Sequence, residues 1–322
     1  MWMWFVAWGC TVPPQTETGA SAGISDAEWA AMTVREKCFS DVGDAAAGMP
    51  NYDPYEPVVG RHCAGTNHQD ITDVGKLVFV GDSITAGTPP TESEDYYRNV
   101  LTALVTERFG DVAVADCSAW GARTDDLLLE PHQQLQTCLP TTEDVPVLIV
   151  MTMGGNDMMS LLNSIAGGAS EEEMQQAVDH YAGLLDDAVA WIRDEQASRF
   201  PAGVSVIFAN VYEFTDATGD VHSCDVAEAV GFPQPTAEQA VMLRQAYLSI
   251  NEQYMQTATR HGVDMLFLLE HFCGHGFYAG DPSNECYRGA GAETWFDATC
   301  IHPSPEGHAQ IAQMFWDVIT AP

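Results

Sequence analysis

Four short stretches carry side chains that can share one reaction. KLVFV, an apolar run suited to a buried strand, ends on Gly81-Asp82-Ser83. DCSAWGARTDDL (116–127) places Gly121 just past a second such run, and VLIVMTMGGND ends on Gly154-Gly155-Asn156-Asp157. Near the C-terminus, FDATCIHPSPEGH carries Asp297 and His302 in a loop. Serine is a feeble nucleophile at neutral pH unless a base within hydrogen-bond reach takes its proton, and His302 is a base of that kind. The oxyanion formed on attack needs donors fixed in advance, and a backbone N–H at Gly121 and the Asn156 amide are apt ones. Together these residue types point to acyl transfer from an ester to water. Gly-Asp-Ser taken alone is also good turn and N-cap material, which would simply stop the strand. Asp82 and Asp157 are expected to stabilise turns.

The elements that must position these groups read as alternating strands and helices. Strands are expected at Leu77–Val80, Val112–Asp116, Val145–Met151, Val204–Ala209 and Asp264–Leu268. Amphipathic stretches at Ser93–Phe109, Glu171–Glu195, Thr236–His261 and Pro305–Ile319 read as helices, and so does Ser25–Lys37. Short apolar strands between long helices indicate a parallel sheet covered on both faces. In such a sheet ligands sit at the carboxyl ends of the strands, where all four stretches fall or converge. Irregular insertions, Thr215–Pro235 and His271–Thr299, are expected over that edge.

Composition excludes some functions. Twelve Lys and Arg stand against forty-six Asp and Glu, a net charge of −34, and only Lys37 and Lys76 are lysines. Such a surface repels phosphate backbones, so no nucleic-acid partner is expected. It favours solubility and a monomer, and it fits a saline surrounding. Apolar residues make up 46% of the chain, enough for a sizeable core. No segment has the eighteen apolar residues of a membrane span.

The N-terminus, MWMWFVAWGC, is short and apolar, and a Pro-, Gly- and Ser-rich stretch follows to Gly23. It resembles a bacterial lipoprotein signal with Cys10 as the lipidated residue and hence a membrane tether, although no basic residue precedes the apolar run. Residues 1–23 are therefore read as signal and tether, and 24–322 as one domain. The other eight cysteines are Cys38, Cys63, Cys117, Cys138, Cys224, Cys273, Cys286 and Cys300. They make four bridges possible, as in an exported protein. Eight cysteines allow 105 pairings; neighbour pairing would give Cys38–Cys63, Cys117–Cys138, Cys224–Cys273 and Cys286–Cys300. His271, Cys273 and His275 have a spacing that suits zinc, but a disulfide cysteine between loop histidines is the preferred reading. No metal and no cofactor are expected.

In order, Ser83 in GDSIT, Gly121, Asn156 in GGND and His302 in CIHPSPEGH resemble the four blocks of the SGNH (GDSL-type) hydrolases, from about Lys76 to the end. The resemblance implies a three-layer α/β/α sandwich, flavodoxin-like, with a mostly five-stranded parallel sheet. It implies hydrolysis of lipid or other carboxylic esters through an acyl-serine. Ser83 would be the nucleophile, His302 the base, and Ser83, Gly121 and Asn156 the oxyanion donors. A carbohydrate O-deacetylase shares the same machinery, and an inactive glycan- or lipid-binding lipoprotein would share the fold. Met158 and Met159 would suit an acyl pocket, and Trp120, Trp295 and Phe296 a sugar platform or an apolar cleft. One position departs from the pattern. The family usually carries an Asp three residues before the His, where this chain has Thr299; the nearest acid, Asp297, lies five residues before. Either Asp297 reaches His302 through a bulged loop, or a main-chain carbonyl near Thr299 takes the imidazole N–H.

Overall fold

The computed structural model describes residues 24–40, 49–229 and 231–322. The readings made for residues 1–23, Cys10 among them, lie outside these. The described residues fall into two units, one ending at Met32 and one beginning at Thr33. In the first, α1 (Asp26–Ala31) begins at Ser25, whose side chain accepts from Glu28 N–H in a capping box. The helix expected to run on to Lys37 stops instead at Met32, which is extended. Thr33 starts a second capping box with Glu36, opening α2 (Val34–Cys38) in the second unit. A threonine hydroxyl bonding forward competes with helix continuation at its own position.

Five strands form one parallel sheet in the second unit: β1 (Lys76–Gly81), β2 (Ala113–Asp116), β3 (Val147–Thr152), β4 (Val204–Ala209) and β5 (Asp264–Leu266). Their order is β2-β1-β3-β4-β5, the flavodoxin-like arrangement. The central strands β1 and β3 are mostly apolar and buried apart from Lys76 at the start of β1, whereas β2 lies exposed at one edge. β5 is shorter than expected because Leu268 already begins a helix. A second edge is closed by the chain before β1, where Thr66 N–H bonds Met265 O and the buried Asp264 carboxylate accepts from Thr66, His68 and Gln69.

Around the sheet run α3 (Ser83–Ala86), α4 (Tyr97–Phe109), α5 (Gln134–Cys138), α6 (Gly155–Ala166), α7 (Glu171–Asp194) and α8 (Gln196–Arg199). The chain continues with α9 (Asp225–Ala229), α10 (Ala237–His261), α11 (Leu268–Phe272) and α12 (Pro305–Thr320). α4 packs with α12 as one layer, and α6, α7 and α10 pack together as the other. α7 and α10 open on Ser170 and Thr236, each in a capping box. α6, bracketed by Gly154-Gly155 and Gly167-Gly168, is not among the helices expected from the sequence.

Four disulfides use the eight cysteines. Cys38–Cys63 and Cys117–Cys138 follow neighbour pairing, but Cys224 joins Cys300 and Cys273 joins Cys286. Neighbour pairing fails there because the two insertions interleave. The buried Asp216 carboxylate of the first insertion accepts N–H bonds from Gly274, Gly276 and Tyr278 of the second. The first insertion is thereby held against the second, whose own Cys273 and Cys286 pair, and its Cys224 reaches Cys300 just beyond it.

Candidate active site

Strand register brings the four sequence stretches level. Gly81 pairs with Thr152, and Thr152 with Ala209, so β1, β3 and β4 end side by side. Gly81 has φ +139°, and a Cβ there would lie 2.4 Å from Thr152 O, so only glycine fits where β1 turns out of the sheet. Gln134 clamps this glycine, its side chain accepting from Gly81 N–H at 2.6 Å and donating to Gly81 O at 2.9 Å. Asp82 caps α3 through Ile84 N–H and accepts from Thr152 Oγ1 at 3.1 Å. Burial pushes its carboxyl up to about 7, against the pull of those bonds. Ser83 follows as the first residue of α3, where a backbone N–H has no intrahelical partner.

Asn156 stands in the first turn of α6. Gly154, with φ +114°, lets the chain turn into that helix, and a Cβ there would meet the Tyr254 hydroxyl at 2.6 Å. The Asn156 amide donates to Ala122 O at 2.8 Å, linking it to the turn that holds Gly121. Asp157 ties α6 to the same loop by accepting from Thr124 N–H and Oγ1 at 3.0 and 2.8 Å. Gly121 has φ +75° and is exposed.

His302 completes the group. Its Nε2 lies 2.9 Å from Ser83 Oγ, although the residues are 219 apart in sequence. Ser83, Asn156 and His302 line one cleft, walled also by Tyr212, Phe214, Tyr247 and Ile301. Tyr212 Oη donates to Ile301 O at 2.9 Å, and the Cys224–Cys300 bridge holds the other side of the same loop. Burial lowers the His302 pKa from its ordinary value, with the Asp297 charge acting the other way. Its Nδ1 faces neither Asp297 nor a carbonyl: it lies 2.8 Å from Thr299 Oγ1, which is 2.5 Å from Asp297 Oδ1. A hydroxyl stands between the acid and the imidazole.

A nucleophile type, a base type at hydrogen-bond distance and amide donors in one cleft suit acyl transfer. The family model described as GDSL-like lipase/acylhydrolase matches residues 79–310. The chain belongs to this family. A search of curated protein sequences finds no significant match. Among solved structures, the extracellular lipase from Streptomyces rimosus superposes with a TM-score of 0.50 at 18% identity, covering 76% of this chain and 100% of that one. Phospholipase A1 from Streptomyces albidoflavus gives 0.53 at 17%, covering 76% and 99%. Both share the α/β/α fold.

Several other residues singled out in the sequence do not line this cleft. Trp120 is 65% exposed, its indole N–H held by Gly87 O at 2.9 Å. Trp295 stacks on His275, and Phe296 packs between Tyr212 and Phe272. Cys273 is bridged, and His271 bonds Cys63 O, so this trio is engaged elsewhere. Among the described residues no group of three His, Cys, Asp or Glu is placed to hold a metal ion. Sequence reasoning missed Gln134 and the Thr299 hydroxyl; the latter's only signal was its position three before His302.

Proposed function

We propose that the protein hydrolyses carboxylic esters with medium to long acyl chains, using Ser83 as nucleophile and His302 as base. The 2.9 Å contact between His302 Nε2 and Ser83 Oγ, in a cleft shared with Asn156, carries the reading. His302 takes the hydroxyl proton as Oγ attacks the ester carbonyl. The oxyanion is received by the N–H groups of Ser83 and Gly121 and by the Asn156 amide. Collapse expels the alcohol, which takes the proton from His302. Water, activated by the same imidazole, then attacks the acyl-serine and releases the acid.

Acyl length is read from a second cavity that continues the first. The two share Met159, Glu213, Phe214 and Tyr247, and the second is lined further by Met158, Leu162, Leu243 and Val221. Its lining is mostly apolar and its methionines can adapt to varied chains, which suits an acyl group longer than acetyl. Four disulfides favour an oxidising, exported setting, and the substrate is the only partner this reading requires.

Hydrolysis of p-nitrophenyl esters from acetyl to palmitoyl tests the proposal, together with mass-spectrometric capture of an alkylphosphonate on Ser83. Turnover is expected to peak above butyryl, with the label on Ser83. Ala240→Phe, which fills part of the second cavity, is expected to lower the palmitoyl-to-acetyl ratio about tenfold. An optimum at acetyl would point to an O-deacetylase. Inertness towards every ester would leave the binding-protein reading.

The pH profile follows from the environment of His302. Only the neutral imidazole can accept the serine proton. Burial disfavours the imidazolium, so the base stays neutral to a lower pH than an exposed histidine would. Nearby His308 is itself pushed down to about 4, first by burial and then by the His302 charge, and it stays neutral through this range. The acid limb of kcat/KM is expected below 6.5, the ordinary histidine value. A limb at or above it would contradict this account of the base.

A further inference from the structure

Hydrogen count fixes the direction of each bond behind His302. An ionised carboxylate only accepts, and a threonine hydroxyl has one proton to give. Thr299 Oγ1 gives that proton to Asp297 Oδ1, so it offers a lone pair to His302 Nδ1. Nδ1 must then carry hydrogen. Nε2, the ring nitrogen facing Ser83 Oγ, is left unprotonated and able to act as base.

We infer that Thr299 is a positioning residue that couples the Asp297 carboxylate to His302, giving a chain Ser83–His302–Thr299–Asp297 in place of direct contact between acid and histidine. The inference rests on the reading of His302 as the base. Asp297 is well placed for the part. It is buried, and Thr299 supplies both donors to Oδ1, its N–H at 2.7 Å and its hydroxyl at 2.5 Å. Oδ2 is buried with no hydrogen-bond partner among the described residues, so no other donor competes for the charge. A bare carbonyl would fix the tautomer equally well, but with no charge behind it. Here the carboxylate polarises the hydroxyl, which strengthens its acceptance from the imidazolium formed during reaction.

The loop holds this geometry at nearly every residue. Asp297 N–H donates to His302 O at 2.9 Å, and Cys300 N–H donates to Asp297 O at 3.1 Å. Phe296 bridges Pro303 across the loop, and Cys300, in a left-handed conformation, is bonded to Cys224. Thr299 is thus fixed by its surroundings, and removing its hydroxyl need not move its backbone.

The test measures the His302 ring pKa by NMR titration, and kcat/KM against pH, in wild type, Thr299→Val, Thr299→Ser, Asp297→Asn and the Thr299→Val/Asp297→Asn double variant. Thr299→Val is expected to lower kcat/KM on the plateau about 10- to 100-fold with KM little changed, the range for losing a hydrogen bond to a charged group. It should also move the His302 pKa and the acid limb to lower pH, because the imidazolium loses its partner. Asp297→Asn should act in the same direction. The double variant should be no worse than Thr299→Val, since the acid acts through the hydroxyl. Thr299→Ser, which restores a hydroxyl, should stay close to wild type. If Asp297→Asn acts as strongly in the Thr299→Val background as alone, the acid works across space and the inference falls. It falls too if Thr299→Val leaves both pKa and rate unchanged. The NMR titration reads the coupling even without turnover, so failure of the esterase reading would be seen separately, as inertness of the wild type.

Discussion

Ser83→Ala is expected to lower kcat on p-nitrophenyl esters by about 10⁵- to 10⁶-fold, His302→Ala by a similar factor, and the double variant by no more than either. The non-additivity is the informative part. Oγ and Nε2 share one proton across 2.9 Å, so losing either partner abolishes the nucleophile. Any residual rate belongs to the oxyanion donors and to substrate binding, which persist in all three variants. The Ser83 side chain bonds His302 within the cleft, so its removal should leave the thermal transition within about 1 kcal/mol of wild type. Activity kept by Ser83→Ala in a folded protein would sink the nucleophile assignment. Additive losses in the double variant would show that Ser83 and His302 do not act as one unit.

What the sequence revealed of this arrangement depended on how local each signal was. β1, β3 and β4 were legible because their strands are short, apolar and β-branched, and burial on both faces demands that pattern. Ser83 and Asn156 were legible because a parallel sheet brings its strand ends together, so a motif at each end implies a common site; His302, in a loop well past β5, was legible only through the resemblance of its segment to the family's last block. α6 was not, since glycine pairs are local breakers and Gly154-Gly155 and Gly167-Gly168 stand at its two ends, where they bracket a helix. The partner of His302 was harder still. Both alternatives considered, a carboxylate and a carbonyl, are acceptors in their own right; a hydroxyl that accepts from one neighbour while donating to another is recognised only when both distances are known. The pairings Cys224–Cys300 and Cys273–Cys286 depend likewise on how Asp216 gathers the second insertion, which nothing in the spacing encodes.

Asn156→Ala is expected to lower kcat about 10²- to 10³-fold while leaving KM within a small factor of wild type. An amide nitrogen carries two hydrogens. One is engaged by Ala122 O at 2.8 Å, which fixes the side chain, and the proposed role falls to the other. A donor placed for the tetrahedral intermediate contributes little to a neutral ester carbonyl, so its loss should appear in kcat and not in binding. Asn156→Asp should be worse than alanine, because a carboxylate turned towards a developing negative charge repels it and can donate nothing while ionised. Asp157 holds α6 to Thr124 independently, so neither variant should displace the helix. Gly121 depends on the same link through Ala122, and part of the alanine effect could therefore come from a shifted Gly121 N–H. Asn156→Gln separates the two contributions: its longer side chain can still donate but cannot satisfy Ala122 O from the same position. Full recovery with Gln would assign the effect to the amide donor alone, whereas wild-type kcat in Asn156→Ala would place the oxyanion elsewhere.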